Sequence, residues 1–115
     1  MNLEEIFTNY ALNDGETLSF KIDFTKHTCN IKLKVRRHIK NQKFQPCEIE
    51  LNFEGVKEID ISEDFRTNGG YSDITLTKIK DDYFYFSIDP FGNTGEPNER
   101  DNFVIIAKSL VVINE

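Results

Sequence analysis

The chain has 115 residues, with ten phenylalanines, four tyrosines and no tryptophan, and its formal net charge is −6. This length suits one domain with a single hydrophobic core, and the recurrence of aromatic and β-branched residues excludes a disordered composition. No apolar run is long enough to cross a membrane, and the acidic N-terminus lacks a secretory signal pattern. We therefore expect one cytoplasmic domain over residues 1–115.

The first residues predict a short amphipathic helix over residues 3–12. The apolar residues that recur there at helical spacing are Leu3, Ile6, Phe7, Tyr10 and Ala11. Asn2 precedes them as a candidate N-cap, and Glu5 completes a capping-box pattern three residues later. The segment "NDG" at 13–15 is a plausible end of this helix.

From residue 17 onward, apolar and polar residues alternate, which is typical of half-buried strands. In "TLSFKIDF" (17–24), for example, we expect Leu18, Phe20, Ile22 and Phe24 to face inward. The other predicted strands are "CNIKLKVRRHI" (29–39), "CEIELNF" (47–53), "VKEIDI" (56–61), "YSDITLTKI" (71–79), "YFYFSI" (83–88), "FVIIAK" (103–108) and "LVVIN" (110–114). The last two are either two strands or one strand with a bulge at Lys108–Ser109. Short turns such as "TNGG" (67–70) separate the strands. The pattern predicts a mainly β fold, a single-domain antiparallel β-sandwich or partly open barrel of seven to eight strands with a short N-terminal helix.

Residues 21–43 hold eight lysines and arginines and one acid, whereas the rest of the chain is strongly acidic. The outward positions of one predicted strand form a basic stripe, which consists of Lys32, Lys34, Arg36, His38 and Lys40. The next strand places Glu48 and Glu50 opposite it, facing either Arg36 and Lys34 or His38 and Arg36. We therefore interpret the stripe as a paired, solvated strand face and expect no nucleic-acid partner. Arg37 falls on the inward parity, which indicates a bulge or the open end of the sheet.

The other polar residues form no recognisable catalytic motif. Cys29 and Cys47 are too few for a disulfide scaffold, and the hairpin register keeps them apart, so we expect reduced thiols. His27 and His38 lack the spacing of a zinc site. Signatures of a nucleophile elbow, a P-loop or a dinucleotide fold are absent from the sequence. We expect no enzyme activity, no cofactor and no metal-ligating residue.

The polar run "IDPFGNTGEPNERDN" at 88–102 joins two core strands, and we call its residues 89–101 the acidic loop. Its carboxylates lack the alternating D-x-D spacing of a calcium loop. Two alternatives stay open: Phe91 is an apolar anchor for a protein partner, or it folds back and caps the core. The candidate partner-binding residues are Asp89, Phe91, Glu96, Glu99, Arg100 and Asp101.

Three segments carry a resemblance to a known family: "LNFEGVKEIDISEDF" (51–65) with its F-x-G-V motif, "YFYFSID" (83–89) and "DNFVIIAKSLVVI" (101–113). Over residues 49–113 the chain resembles a small uncharacterised family of β-rich bacterial proteins, some members of which are assigned as immunity proteins of polymorphic toxin systems. The resemblance implies a β-rich fold and a role in binding and neutralising another protein. It implies no catalytic residues.

These observations predict a non-enzymatic, cytoplasmic protein-binding domain, with an immunity protein that neutralises a cognate bacterial toxin as the specific hypothesis. Carboxylates at 63–64, 81–82 and 89–101 would attract a basic toxin. The alternative is a β-sandwich domain that binds a small ligand or Ca²⁺. A homo-oligomer also stays open, because Tyr83 and Tyr85 share the face opposite Phe84, Phe86 and Ile88 and need the helix or a second subunit to cover them. We expect no membrane partner.

Overall fold

The protein folds as one curled antiparallel sheet with a short helix at its N-terminus. The structure, a computed structural model, describes residues 2–61, 74–92 and 94–114. The turn predicted at 67–70, the carboxylates at 63–64 and the first part of the strand predicted at 71–79 lie outside these residues. The helix is α1 (Leu3–Asn9), and the strands are β1 (Tyr10–Asp23), β2 (Thr28–Ile39), β3 (Lys43–Asp60), β4 (Thr75–Lys78), β5 (Phe84–Asp89) and β6 (Asn102–Asn114).

The strands lie in the order β1-β2-β3-β6-β5-β4, and each pairs antiparallel with its neighbour. The sheet curls into an open half-barrel, which confirms the fold class expected from the sequence. No helix in the described ranges is long and apolar enough to span a bilayer.

The hydrophobic core lies on one side of this sheet, which we call the inner face. Ile6 of α1 is fully buried there, among side chains from all six described strands. The ring centroids of Phe20 on β1 and Phe103 on β6 are 5.0 Å apart, so strands that are not neighbours in the sheet meet across the core. The side-chain oxygen of Asn13 also accepts a hydrogen bond from the backbone N–H of Ile74, just before β4, at 3.1 Å. The Asn13 bond links β1, at one end of the strand order, to the residue before β4, at the other end.

The helix is shorter than the sequence pattern predicts. Its start is as expected, because the Asn2 side chain accepts a hydrogen bond from the Glu5 N–H at 2.8 Å. Tyr10 and Leu12 are buried, but they belong to β1, where alternate residues share a face. The expectation of a helix that continues to residue 12 is therefore wrong: the backbone is extended from Tyr10 onward and buries Tyr10 and Leu12.

Strand β1 also departs from the simple alternation predicted for residues 17–24. Its pairing with β2 is irregular between Thr17 and Ser19, and Leu18 at this point is 43% exposed. Phe20 keeps its inward position. Phe24 lies in the turn after β1 and is 81% exposed. The prediction that Leu18 and Phe24 face the core is wrong for two reasons. Leu18 is the extra residue at the irregular position, and β1 ends at Asp23, so Phe24 lies beyond the alternating strand.

The basic stripe lies on the outer face of β2, as predicted, because Ile31, Leu33 and Val35 occupy the alternate inward positions. Neither of the two predicted registers is observed: Glu48 lies opposite Lys34, and Glu50 lies opposite Lys32. The physical reason is the turn at residues 40–42, which is completed by left-handed residues at positions 41 and 42, so pairing begins directly at positions 39 and 43.

This register sets the contacts of the charged residues at the hairpin. Lys32 forms an ion pair with Glu48, diagonally across the two strands, with 3.5 Å between the ammonium nitrogen and the carboxylate oxygen. Arg37 lies in a regular part of the ladder near the end of the hairpin, where its guanidinium donates to the Gln45 side-chain oxygen at 3.2 Å. Of the two explanations for Arg37, the open end of the sheet is the one observed.

Strands β3 and β6 each combine two segments that the sequence analysis treated separately. β6 is one strand. Its core residues are odd-numbered up to Ala107, and the next core residue is Leu110, so the alternation shifts by one across Lys108–Ser109. Opposite this point, Gly55 of β3 has a left-handed backbone with φ +61°. A side-chain carbon at Gly55 would lie 2.8 Å from Cβ of Lys108. Gly55 and Lys108 therefore mark an irregular position in the β3–β6 pair, which we call the corner.

We expect Gly55→Ala to lower the free energy of unfolding by about 3 kcal/mol, because it adds left-handed backbone strain and a steric clash with Lys108. Gly92→Ala is the matched control, since Gly92 has φ +83° but nothing within 4 Å of an added carbon. It should cost about 1 kcal/mol. Urea denaturation of both variants measures the difference, and equal losses would show that the corner tolerates a side chain.

Candidate functional site

The acidic loop folds back over the outer face of β5 and β6. Tyr85 and Ser87 on β5 and Val104 on β6 point away from the core, on the side opposite Phe86, yet all three are buried. Residues Pro97, Asn98 and Asp101 of the loop lie beside Tyr85 and Val104. The loop thereby gives this part of the sheet a second buried layer.

Asp101 holds the loop in this position. One oxygen of its carboxylate accepts the backbone N–H of Phe91 at 2.7 Å. The other oxygen accepts the Tyr85 hydroxyl at 2.6 Å and the backbone N–H of Asn98 at 2.9 Å. The side chain is only 9% exposed. Hydrogen bonds from three donors compensate the burial of the carboxylate, and they connect both ends of the loop to β5.

The backbone immediately after Asp101 is strained. Phe103 has φ +53°, a left-handed conformation that bulky residues rarely adopt. Its ring packs on Phe20 at the inner face, whereas Asp101, two residues earlier, contacts Tyr85 on the outer face. Residues two apart in a regular strand share a face, so the left-handed backbone accompanies this change of side.

Tyr83, just before β5, and Tyr85 on β5 are covered differently from what the sequence predicts. Neither the helix nor a second subunit is needed over Tyr85, because the acidic loop buries it. Tyr83 is half-buried, and the ammonium groups of Lys57 and Lys108 each lie 5.0 Å from the centre of its ring. The acidic loop thus supplies over Tyr85 the cover that the sequence analysis assigned to the helix or a second subunit, and a homo-oligomer stays a prediction.

Phe91 is 52% exposed and lies outside the buried core cluster, so it does not cap the core. The guanidinium of Arg100 lies over its ring, 5.2 Å from the centroid. This cation–π contact, together with the hydrogen bond from the Phe91 N–H to Asp101, fixes an aromatic side chain at the surface of the loop.

The structure brings only part of the predicted partner-binding set together. Phe91, Arg100 and Asp101 form one contact group. Glu96 and Glu99 are exposed. Asp89 is also exposed, at the end of β5, where it accepts a 3.3 Å hydrogen bond from the side chain of Asn102. Asp101 is the one buried member of the six predicted residues. Its carboxylate accepts hydrogen bonds from three groups of the protein itself.

A groove of about 300 Å³ runs beside the loop and was not predicted from the sequence. Its floor contains Val104 and Ile106 of β6, and their partners across the ladder on β3 are Asp60 and Glu58. Pro97 and Glu99 form the opposite wall. Only the register of β3 against β6 places these β3 carboxylates next to the loop, and alternation within one strand does not reveal that register.

The two cysteines of the chain are weakly acidic thiols. Burial raises the pKa of the Cys29 thiol to about 12, and it also raises the pKa of Cys47 although the charge of Arg37 opposes this. The reactive thiolate of either cysteine is therefore disfavoured at neutral pH. Within residues 2–61, 74–92 and 94–114, no three histidine, cysteine or acidic side chains are grouped so that they could hold a metal ion.

Comparisons of the chain with protein-family models, with curated proteins and with solved structures find no match. The resemblance over residues 49–113 thus stays a prediction, and the function is argued from the site.

We expect Asp101→Asn to lower the free energy of unfolding by about 1–3 kcal/mol, because the new amide group cannot accept the bonds that one carboxylate oxygen receives. Tyr85→Phe removes a single donor and should cost about 1 kcal/mol. Glu99→Gln, an exposed change in the same loop, is the control and should stay within about 0.5 kcal/mol of wild type. Urea denaturation measures all three, and an Asp101→Asn variant as stable as the control would contradict the anchoring role.

Stability should also depend on Tyr85 at alkaline pH. Burial, and after it the hydrogen bond and charge of Asp101, raise the pKa of Tyr85 above its ordinary value of 10.0. The folded state therefore keeps a proton that the unfolded chain releases, so this contribution is complete below pH 10 and is lost as the pH rises further. Above pH 10, wild type should lose up to about 1.4 kcal/mol per pH unit more than Tyr85→Phe. Parallel stability curves for the two proteins between pH 9 and pH 11 would contradict this.

Proposed function

We propose that this chain is a non-enzymatic, cytoplasmic protein-binding domain and, within that class, an immunity protein that neutralises a cognate bacterial toxin. The observation that carries the proposal is the acidic loop, which is fixed by a buried carboxylate and displays an exposed aromatic ring. The resemblance over residues 49–113 supports the narrower statement.

The first argument is preorganisation. A loop of this length ordinarily loses conformational entropy when it binds a partner. Here the bonds of Asp101 to Tyr85, Phe91 and Asn98 order the loop before binding. Phe91 is thus presented with little further ordering, and aromatic anchors of this kind dominate the energetics of protein interfaces.

The second argument is charge. Outside residues 21–43 the chain has nineteen acidic residues and six lysines or arginines. Glu96 and Glu99 in the loop are exposed, and Glu58 and Asp60 on β3 line the same groove as Glu99. A surface with this excess of one sign accelerates association with an oppositely charged partner. The partner that fits is a basic protein, such as a toxin that acts on nucleic acid.

The alternative of a Ca²⁺-binding or small-ligand domain has less support. The carboxylates of the described residues do not converge on one point as calcium ligands do. Asp101 is already used by three donors, and the groove beside it is open and shallow rather than an enclosing cavity. Protein binding therefore accounts for more of the observed features.

The test uses the product of the adjacent gene when that gene encodes a toxin. Glu96→Gln combined with Glu99→Gln should slow association about tenfold at low ionic strength and flatten its dependence on salt, because the steering charge is reduced. Stopped-flow measurements at several salt concentrations give both quantities. Asp101 is left intact so that the loop keeps its conformation.

The matched control is Glu48→Gln combined with Glu50→Gln, which removes two charges from β3 beside the basic stripe. This control should associate at nearly the wild-type rate. Phe91→Ser should chiefly accelerate dissociation, since it removes an anchor rather than a charge. Unchanged association of the loop variant, or equal slowing of the control, would remove the acidic loop from the interface.

A further inference from the structure

The groove beside the acidic loop combines an apolar floor with an acidic rim. Val104 and Ile106 of β6 lie at its base, and Pro97 lies on one wall. Glu58 and Asp60 project from β3 on one side, and Glu99 stands on the loop at the other. An occupant that fits this arrangement needs an aliphatic stem and a cationic end, which is the construction of a lysine or arginine side chain.

The rim carboxylates have no internal counter-ion. In the part of the chain that the structure describes, no lysine or arginine forms an ion pair with Glu58, Asp60 or Glu99. Asp101, which is 9% exposed and borders the same groove, is held by hydroxyl and amide donors. The Arg100 guanidinium next to it in the chain lies instead over Phe91. The groove therefore keeps its negative charge available to a ligand.

Arginine suits this groove better than lysine. Its planar guanidinium carries five N–H donors and can contact carboxylates on both walls at once. It is also less strongly hydrated than an ammonium group, so placing it over Val104 and Ile106 costs less desolvation. The lining residues come from β3 and from the loop as well as from β6, so an occupant of the groove would contact carboxylates from both β3 and the loop.

We infer that this groove is a receptor for an arginine side chain of the partner protein, with Glu58, Asp60 and Glu99 around the guanidinium and the aliphatic stem on Val104 and Ile106. This inference rests on the proposed function, since it names the chemistry of the partner residue that the same face recognises. It adds β3 to an interface that the loop alone would otherwise define.

The probe for the experiment is N-acetyl-arginine amide, titrated at low salt while the methyl resonances of Val104 and Ile106 are followed by NMR. We expect saturable shifts of these methyl groups with a dissociation constant in the millimolar range. The neutral isostere N-acetyl-citrulline amide should cause no saturable shift. Glu58→Gln combined with Asp60→Asn should weaken arginine binding about tenfold, whereas the control Glu48→Gln combined with Glu50→Gln on the same strand should bind as wild type does.

Three results would overturn the inference: no saturable shift with arginine, equal shifts with citrulline, or wild-type binding by the Glu58 and Asp60 variant. Methyl spectra of each variant outside the groove confirm that the fold is intact. Because the titration contains no partner protein, its failure leaves the proposed function standing if the Glu96 and Glu99 variant still slows toxin association. If arginine binds but the Glu96 and Glu99 variant associates at the wild-type rate, the proposed function fails and the inference that the groove binds arginine stands.

Discussion

The buried carboxylate of Asp101 is the interaction on which the outer face of this protein depends. Its three donors come from β5, from the start of the loop and from a point just before Asp101 itself. Without this group, the loop would have no charged acceptor to hold it on Tyr85, and the outward side chains of β5 and β6 would lose their cover. A single acidic residue therefore converts a long polar connection into a layer of the structure.

The candidate site depends equally on how the inner face is built. In both β3 and β6, the set of alternate residues that faces inward changes at Gly55 and Lys108. Beyond this corner the two strands continue to pair, with Glu58 opposite Ile106 and Asp60 opposite Val104. Carboxylates that are distant from the loop in sequence thereby become its neighbours. The core and the surface groove are consequences of one strand register, so a change at the corner would be transmitted to the groove.

Much of the fold follows from alternation, and the errors share a physical origin. Alternation within each strand identified the inward residues of β2 and β3 and the outward basic stripe, because side-chain direction has a period of two. It failed at Leu18, where one irregular position reverses the pattern, and at the β2–β3 register, which the turn conformation sets.

Alternation could not separate Asp101 from the exposed acids around it, since the donors that bury Asp101 lie elsewhere in the chain. Phe91 and Arg100 were located as surface residues of interest, but Glu58 and Asp60 were not, because their proximity to the loop is a property of the folded sheet alone.

Strand β1 lies at one end of the six-stranded order, where an unbroken ladder of backbone groups would offer a template for further strands. Its pairing is irregular at two places, between Ala11 and Glu16 and between Thr17 and Ser19. These interruptions divide a 14-residue strand into shorter regular stretches, and bulges of this kind bend a strand locally. We therefore expect this edge to be a poor template for strands of other chains, although exposed apolar residues such as Leu18 lie along it.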